Sequence, residues 1–398
     1  MEEFIRNFGR IFGIIGFFLL GFSIFIGGTL RLLDKKFGLD RVLRFHRIFS
    51  VISFFLLIFH PFLLFLYNLI KYNLSIIEIY LGYLSLYYFI FGVTAFIFIG
   101  ISVFISYFFL KKIEHIFWIT LHRLNVVFYI LALIHLLNFG YLTGFHAKIP
   151  ILNIFIIISI IMALTGTIVR IIFLIIKPKF ISKIIDVIKE TDDIHTILVE
   201  KPINFTHKSG QFAFISFKKT KMRKPHPFTI SSSATDSNLS FSIKSLGEFT
   251  SRIKDLNKNE IIKIDGPYGI FNFKGRDSIF IAGGIGITPF KSIIGDKNFN
   301  KENKKVILLY GAKTKKDLAF YDFFENYKDK LKIVYILSNE KIDENNFEYG
   351  FLSEDILKKY SNFTEDFYLC GPPIMVKKTI EILKRNGVKN IFYEKFIY

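Results

Sequence analysis

Four histidines set the first question about this chain. His46 and His60 lie fourteen residues apart in the apolar run "RFHRIFSVISFFLLIFHPF", and His122 and His135 lie thirteen apart in "TLHRLNVVFYILALIHLL". Imidazole at membrane depth is costly unless paired or functional, and neutral imidazole is an iron ligand. Fourteen residues of helix rise about 21 Å and return to within about 40° of the same face. Thirteen rise about 20 Å but end roughly 140° round an ideal helix, so the second spacing asks for a local distortion or generous ring reach. If both stretches cross a bilayer in the same direction, His46 matches His122 in depth and His60 matches His135. Two imidazole pairs at two depths form a ligand set for two b-type haems stacked across the membrane. Hydrogen bonding of the four rings between helices is the alternative. Arg47 and Arg123 each follow the first histidine of a stretch, where they either neutralise haem propionates or anchor helix ends; Arg170 is similar. His115 and His146 fall at interfaces without matched partners and stay outside the metal set.

A second group of motifs lies in the C-terminal half. In "HPFTISSS", residues 226–233, backbone groups, Thr229 and Ser231 can hold a planar ring system on which Phe228 packs. In "GEFTSRI", residues 247–253, Gly247 allows close backbone approach and Thr250 at a helix start can donate to a phosphate. Singly each is weak, because an aromatic in a strand is usually core. Together they suggest a flavin dinucleotide. "IAGGIGITPF", residues 281–290, is a strand-to-helix turn in which Gly283, Gly284 and Gly286 let backbone N–H groups close on a pyrophosphate, with Pro289 suited to the first helical turn. "LCGPP", residues 369–373, ends a strand at the carboxyl edge of a sheet, where ligands bind. There Cys370 with Gly371 leaves room for a nicotinamide; a buried structural thiol is the alternative.

The elements that must position these residues follow from composition. The 398 residues are 52% hydrophobic and 18% aromatic, but the average hides a division: long apolar runs to residue 176, then a Lys-rich soluble pattern. Five runs reach the roughly 20 residues needed to cross hydrocarbon: 11–33, 43–69, 80–110, 116–138 and 150–176. Lys and Arg between the first and second, after the third and after the fifth place the N-terminus outside and residues 177–398 in the cytoplasm, with Arg6 and Arg10 arguing mildly against. Short alternating strands from about residue 180 suggest an antiparallel β-barrel, and strand–helix alternation after about 276 a parallel α/β nucleotide-binding sheet. The expected division is a haem-carrying helical bundle over 1–178, a flavin barrel over 179–275 and a nicotinamide-nucleotide domain over 276–398, a multi-pass protein of the cell membrane. The net charge of +19 belongs to topology-setting and surface lysines, and no nucleic-acid motif accompanies it. The lone Cys370 excludes an internal disulfide and any Cys-built zinc or iron–sulfur site. The first apolar run has no clear cleavage site and reads as a retained helix.

These residues carry a family resemblance. The chain resembles the NADPH oxidase/ferric reductase superfamily along essentially its full length. The 14- and 13-residue histidine spacings are similar to that family's bis-haem pair, so the awkward thirteen is what the resemblance implies. "HPFT" (His226, Pro227, Phe228, Thr229) and "GEFT" (Gly247, Phe249, Thr250) resemble its FAD motifs. "GGIGITP", with Thr288 and Pro289, resembles its nucleotide pyrophosphate loop, and "CGPP", with Cys370, Gly371 and Pro372, its nicotinamide-side motif. The resemblance also implies an aromatic near the C-terminus covering the flavin, Phe396 or Tyr398, the Glu-x-Phe pattern favouring Phe396. Lys313 stands where relatives often carry Arg for a 2′-phosphate, so NADH and NADPH are both candidates. The family's commonest core has six spans against five here, and no EF-hand loop is present, which suits a minimal prokaryotic form with no obligatory regulatory subunit. The implied activity is hydride transfer from NAD(P)H to FAD and single-electron passage through the inner and outer haems to oxygen, producing superoxide. A ferric or cupric chelate reductase and an electron donor to an extracytoplasmic protein share the same wiring. A haem-binding or proton-conducting membrane module with a degenerate soluble half is the non-enzymatic alternative.

Overall fold

The computed structural model describes residues 1–84, 87–109, 115–143, 150–175, 180–219, 222–299 and 304–393. The chain divides into two compact units, Met1–Lys177 and Pro178–Tyr398.

The first unit is helical: α1 (Glu2–Phe37), α2 (Leu39–Tyr72), α3 (Ile76–Leu84), α4 (Tyr87–Phe104) continued by a π-turn (Ile105–Phe109), α5 (His115–Thr143) and α6 (Pro150–Ile175). Among the described residues five helical segments are long and apolar enough to cross a membrane. Their outward faces carry large apolar side chains, such as Ile157, Ile161, Leu164 and Ile168 of α6, as lipid-facing surfaces do. The first two helices outrun the expected 11–33 and 43–69. Glu2 and Glu3 in the first turn and Lys35 and Lys36 in the last suit the helix dipole and prolong α1 until Gly38, at φ 82°, breaks the chain into α2. Around the expected 80–110 run the described residues are helical over Ile76–Leu84 and again from Tyr87, and residues 85, 86 and 110 lie outside the described residues.

α1 packs chiefly on α2 and α6, and α4 on α5. The α1–α6 approach is set by small residues a heptad apart: Gly21 faces Ser159, and Gly28 faces the Gly166 backbone. Ile14, Phe17 and Leu20 of α1 join Phe128 and Tyr129 of α5 and Ile156 of α6 in the bundle core.

The second unit holds two six-stranded sheets. Strands β1 (Phe180–Lys189), β2 (Ile194–Glu200), β3 (Phe212–Phe217), β4 (His226–Thr229), β5 (Asn238–Lys244) and β6 (Ile261–Tyr268) pair antiparallel in the order β4-β3-β6-β1-β2-β5. The two end strands are joined by a single bridge, Ile230 to Phe241, and by Ser231 N–H donating to the Ser240 carbonyl. The inner face is closed by Ile197, Val199, Ile215, Phe241, Ile262 and Ile264. A four-residue helix, α7 (Glu248–Ser251), follows β5.

The second sheet is parallel: β7 (Ser278–Gly283), β8 (Val306–Ala312), β9 (Lys332–Leu337), β10 (Phe347–Tyr349), β11 (Asp366–Cys370) and β12 (Ile391–Tyr393), in the order β10-β9-β8-β7-β11-β12. Helices α8 (Thr288–Ile294), α9 (Tyr321–Glu325), α10 (Glu354–Tyr360) and α11 (Pro373–Arg385) follow the strands. β7 reads apolar throughout because both faces are covered: Phe280 and Ala282 enter one core, Ile279 and Ile281 the other. From β7 the chain moves to β8 on one side, and β11 returns on the other. That reversal marks the carboxyl ends of β7 and β11, at Gly283 and Cys370, as the place where sheets of this topology form a ligand crevice.

Candidate functional site

The four paired histidines meet as two couples. The His46 and His122 rings are 5.8 Å apart at 79°, and those of His60 and His135 6.2 Å apart at 84°. A metal accepting one nitrogen from each ring at about 2 Å requires ring centres roughly 6 Å apart. Helix α5 is continuous through both of its histidines, so ring reach accommodates the thirteen-residue spacing. Pro61, directly after His60, removes a ladder donor from α2 at that point. Three rings have Nδ1 against a backbone carbonyl: His46 on Ser23 (3.0 Å), His60 on Gly9 (2.9 Å) and His135 on Tyr88 (3.0 Å). A carbonyl only accepts, so Nδ1 carries the proton and Nε2 keeps the free lone pair. Among the described residues no cluster of three or more His, Cys, Asp or Glu side chains surrounds a metal position. The donor set is thus two imidazoles per site, which fits a metal whose remaining ligands come from a planar cofactor.

A cavity of about 260 Å³ adjoins His60 and His135. Arg6, Arg10, Tyr67 and Asn68 also line it. Arg6 donates to the Tyr67 hydroxyl at 3.3 Å and pairs with Glu3, and Lys71 donates to the same hydroxyl at 2.9 Å. In the sequence Arg6 and Arg10 read as topology signals only. Their spacing with Gly13, four and then three residues, places all three on one helix face, which was the available signal. At the other couple, Arg47 and Arg123 are exposed. Arg170 of α6 stands within electrostatic reach of both His46 and His122, and Arg123 of Arg170.

In the soluble unit the two aromatic motifs converge. Phe249 lies 4.2 Å from the His226 ring and 5.8 Å from Phe228, nearly parallel to the latter at 22°. His226, Pro227, Phe228 and Thr229 form the edge strand β4, where Pro227 forfeits no inner ladder bond. Thr229 is buried. Ser231 is fully buried and its hydroxyl is engaged by Ser240 and Ser242, so its side chain belongs to the sheet interior. The Thr250 hydroxyl accepts from the Leu246 and Gly247 amides at 2.9 Å each and donates to the Gly247 carbonyl, closing its own turn. Gly247 itself faces open space.

The two glycine motifs interlock at the crevice. A Cβ on Gly283 would meet Met375 Sδ at 2.7 Å and Pro372 at 2.8 Å, and one on Gly286 would run into the Cys370 carbonyl. Gly371 likewise packs on Gly283. Gly284 adopts φ +53° with nothing near it, a left-handed turn that leaves the backbone bare at the crevice. Thr288 Oγ1 donates to the Ile285 carbonyl, and Pro289 sits in the first turn of α8. Cys370 is buried at 2% exposure. Lys313 is exposed just beyond β8. Phe396 and Tyr398 lie outside the described residues. Lys291 of α8 reaches the Ser231 carbonyl at 3.4 Å beneath Phe320 and Phe323, and burial holds its pKa below the ordinary lysine range. Burial also pushes the Tyr368 phenol, behind the crevice, up to about 12.

Known proteins place these parts. Residues 12–133 match the ferric reductase like transmembrane component, 179–272 the FAD-binding domain and 280–381 the oxidoreductase NAD-binding domain. The chain is similar to a probable dihydroorotate dehydrogenase B (NAD(+)) electron transfer subunit of Methanocaldococcus jannaschii, 33% identical over 53% of this chain and 76% of that protein. It is also similar to the corresponding probable subunit of Pyrococcus furiosus, 35% identical over 39% of this chain and 59% of that one. Among solved structures, Amycolatopsis cytochrome P450 reductase GcoB shares the fold, with a TM-score of 0.50 at 20% identity over 55% of this chain and 69% of that one. The chain is an oxidoreductase of the membrane that drives electrons from NAD(P)H through FAD into a transmembrane helical component. With a ferric reductase-like bundle ahead of a flavin domain and a nicotinamide-nucleotide domain, it belongs to the NADPH oxidase/ferric reductase superfamily.

Proposed function

We propose that this chain carries electrons from cytoplasmic NAD(P)H, by way of FAD and two b-type haems, to oxygen on the outer face of the cell membrane. One NAD(P)H then reduces two oxygen molecules to two superoxide ions and leaves one proton inside. The observation that carries this reading is the pair of histidine couples, 5.8 and 6.2 Å between ring centres, in a bundle of spanning helices. When bound, FAD divides a hydride into single electrons and bis-histidine haem iron relays them.

The chain's own residues do the rest. His46 with His122, and His60 with His135, hold the two irons through Nε2. With both imidazoles of a couple engaged on a haem, the protein would offer oxygen no place on the iron, and oxygen would have to take its electron from the haem edge. Arg47, Arg123 and Arg170 balance carboxylates at the inner site, and Arg6 and Arg10 do so at the outer one. His226, Pro227, Phe228, Thr229 and Phe249 form the wall on which the flavin ring rests, with the backbone at Ser231, Gly247 and Thr250 beside it. Gly283, Gly284, Gly286, Thr288 and Pro289 receive the nucleotide pyrophosphate. Cys370, Gly371 and Pro372 border the nicotinamide, whose access Phe396, or Tyr398, covers. Lys313 is a point charge for a 2′-phosphate.

Purified protein with haem, FAD and NADPH in aerated buffer provides the test. Cytochrome c reduction abolished by superoxide dismutase supports the oxidase. Reduction that ignores dismutase, or needs a ferric chelate, replaces it with a chelate reductase.

A further inference from the structure

The three histidines that rest on a carbonyl share a feature no sequence motif announces. In each case the residue four positions beyond the accepting carbonyl is glycine. Gly9 O is followed by Gly13, Ser23 O by Gly27, and Tyr88 O by Gly92. Four residues is about one helical turn, so carbonyl and glycine share a face, and the imidazole lies across both. The fits are graded. A Cβ on Gly13 would lie 2.6 Å from His60 Nδ1, and one on Gly92 2.5 Å from His135 Nδ1. A Cβ on Gly27 would lie 3.5 Å from His46 Cε1, an ordinary contact. His122 departs from the pattern: its Nδ1 is buried without a hydrogen-bond partner among the described residues, and its ring stacks on Trp118 at 5.2 Å and 19°.

We propose that Gly13 and Gly92 are positioning residues that seat the His60/His135 couple on backbone carbonyls from both sides, and that the two metal sites are unequal for this reason. Resting on the two-haem reading, the argument concerns how each iron is tuned. A carbonyl accepting the Nδ1 proton makes an imidazole a stronger donor, which favours ferric iron. The His60/His135 site has two such ligands, and the His46/His122 site has one. Alanine at Gly13 or Gly92 pushes the ring off its carbonyl, weakening or detaching that ligand. Alanine at Gly27 has room and serves as the internal control.

The test uses the full-length protein in detergent, loaded with haem, with haem counted per chain and both potentials titrated. G13A and G92A, on different helices, should each raise the potential of one haem and leave the other in place. Where the ring detaches fully, one haem per chain should be lost or should bind carbon monoxide when reduced. G27A should match the wild type in both potentials. Wild-type protein with two haems, beside G13A and G92A with unchanged potentials and haem content, overturns the seats alone. Equal shifts in all three variants overturn them too, because a general loss of packing would then explain the effect. A wild type that takes up fewer than two haems overturns the two-haem reading itself.

Discussion

At the scale of single residues, the chain uses glycine where two groups must nearly touch. Gly286 is such a case in the nucleotide sheet, because any side chain there collides with the carbonyl of Cys370. That carbonyl belongs to the neighbouring central strand and has nowhere to go. G286A should therefore displace the turn from the crevice and raise KM for NAD(P)H by about tenfold or more, a loss of roughly 1.4 kcal/mol in binding. Steady-state kinetics with a soluble acceptor measures it, and flavin content unchanged from wild type separates it from unfolding. The glycines of this motif are plain in the sequence. What each glycine touches is not, since Met375 and Pro372 reach Gly283 from a different strand–helix unit. Ser231 and Thr250 illustrate the converse. Both carry hydroxyls that suit a ligand on paper, and both hydroxyls are engaged by the protein itself.

At the scale of elements, two contacts deserve test. The α1–α6 crossing depends on Gly28 lying directly on Gly166. G28L should lower stability by about 3 kcal/mol or more, since overpacking at a backbone contact cannot be relieved by a rotamer change. Thermal unfolding in detergent, with a clear fall in midpoint, is the expected result. The second contact ties α8 to the flavin sheet through Lys291 and the Ser231 carbonyl. Burial lowers the pKa of Lys291 from its usual 10.5, so the unfolded chain holds this proton to higher pH than the folded one. The penalty is full where both states are charged and fades as pH rises from the folded value toward 10.5. K291M, of similar volume, should leave stability near pH 7 unchanged or raised by about 1 kcal/mol, and should abolish the gain on going to higher pH. Unfolding midpoints at neutral and alkaline pH report both effects. Element boundaries were less legible than element types: α1 and α2 run on past the apolar stretches 11–33 and 43–69, because polar and charged residues such as Glu2, Glu3, Lys35 and Lys36 extend the helices beyond their apolar spans.

At the scale of the whole molecule, orientation is the open and testable property. We propose, from the charges flanking the spans, an N-terminus outside and the two cofactor domains in the cytoplasm, with boundaries at 178/179 and 275/276. A membrane-impermeant maleimide added to intact cells should label E2C and should not label K389C until the cells are broken. Both positions are exposed, and the single native thiol, Cys370, is buried. The reverse pattern would turn the molecule over and move the proposed acceptor face with it.

The sequence by itself determined the parts: five apolar runs, a run of alternating strands, a strand–helix alternation, and the histidine and glycine motifs. Hydrophobic periodicity and chain stiffness are local, so they survive reading one residue at a time. It also narrowed the histidines to two couples, although an ideal helix puts His122 and His135 on different faces. Only the tertiary structure decided that both couples close to about 6 Å, that Arg6 and Arg10 line one of them, and that three of the rings rest on carbonyls one turn before a glycine. Those facts depend on the rotation of each helix about its own axis and on side-chain reach, and packing between segments fixes both. Trp118 in place of a carbonyl at His122 is of the same kind: it follows from which face of α5 the bundle accepts.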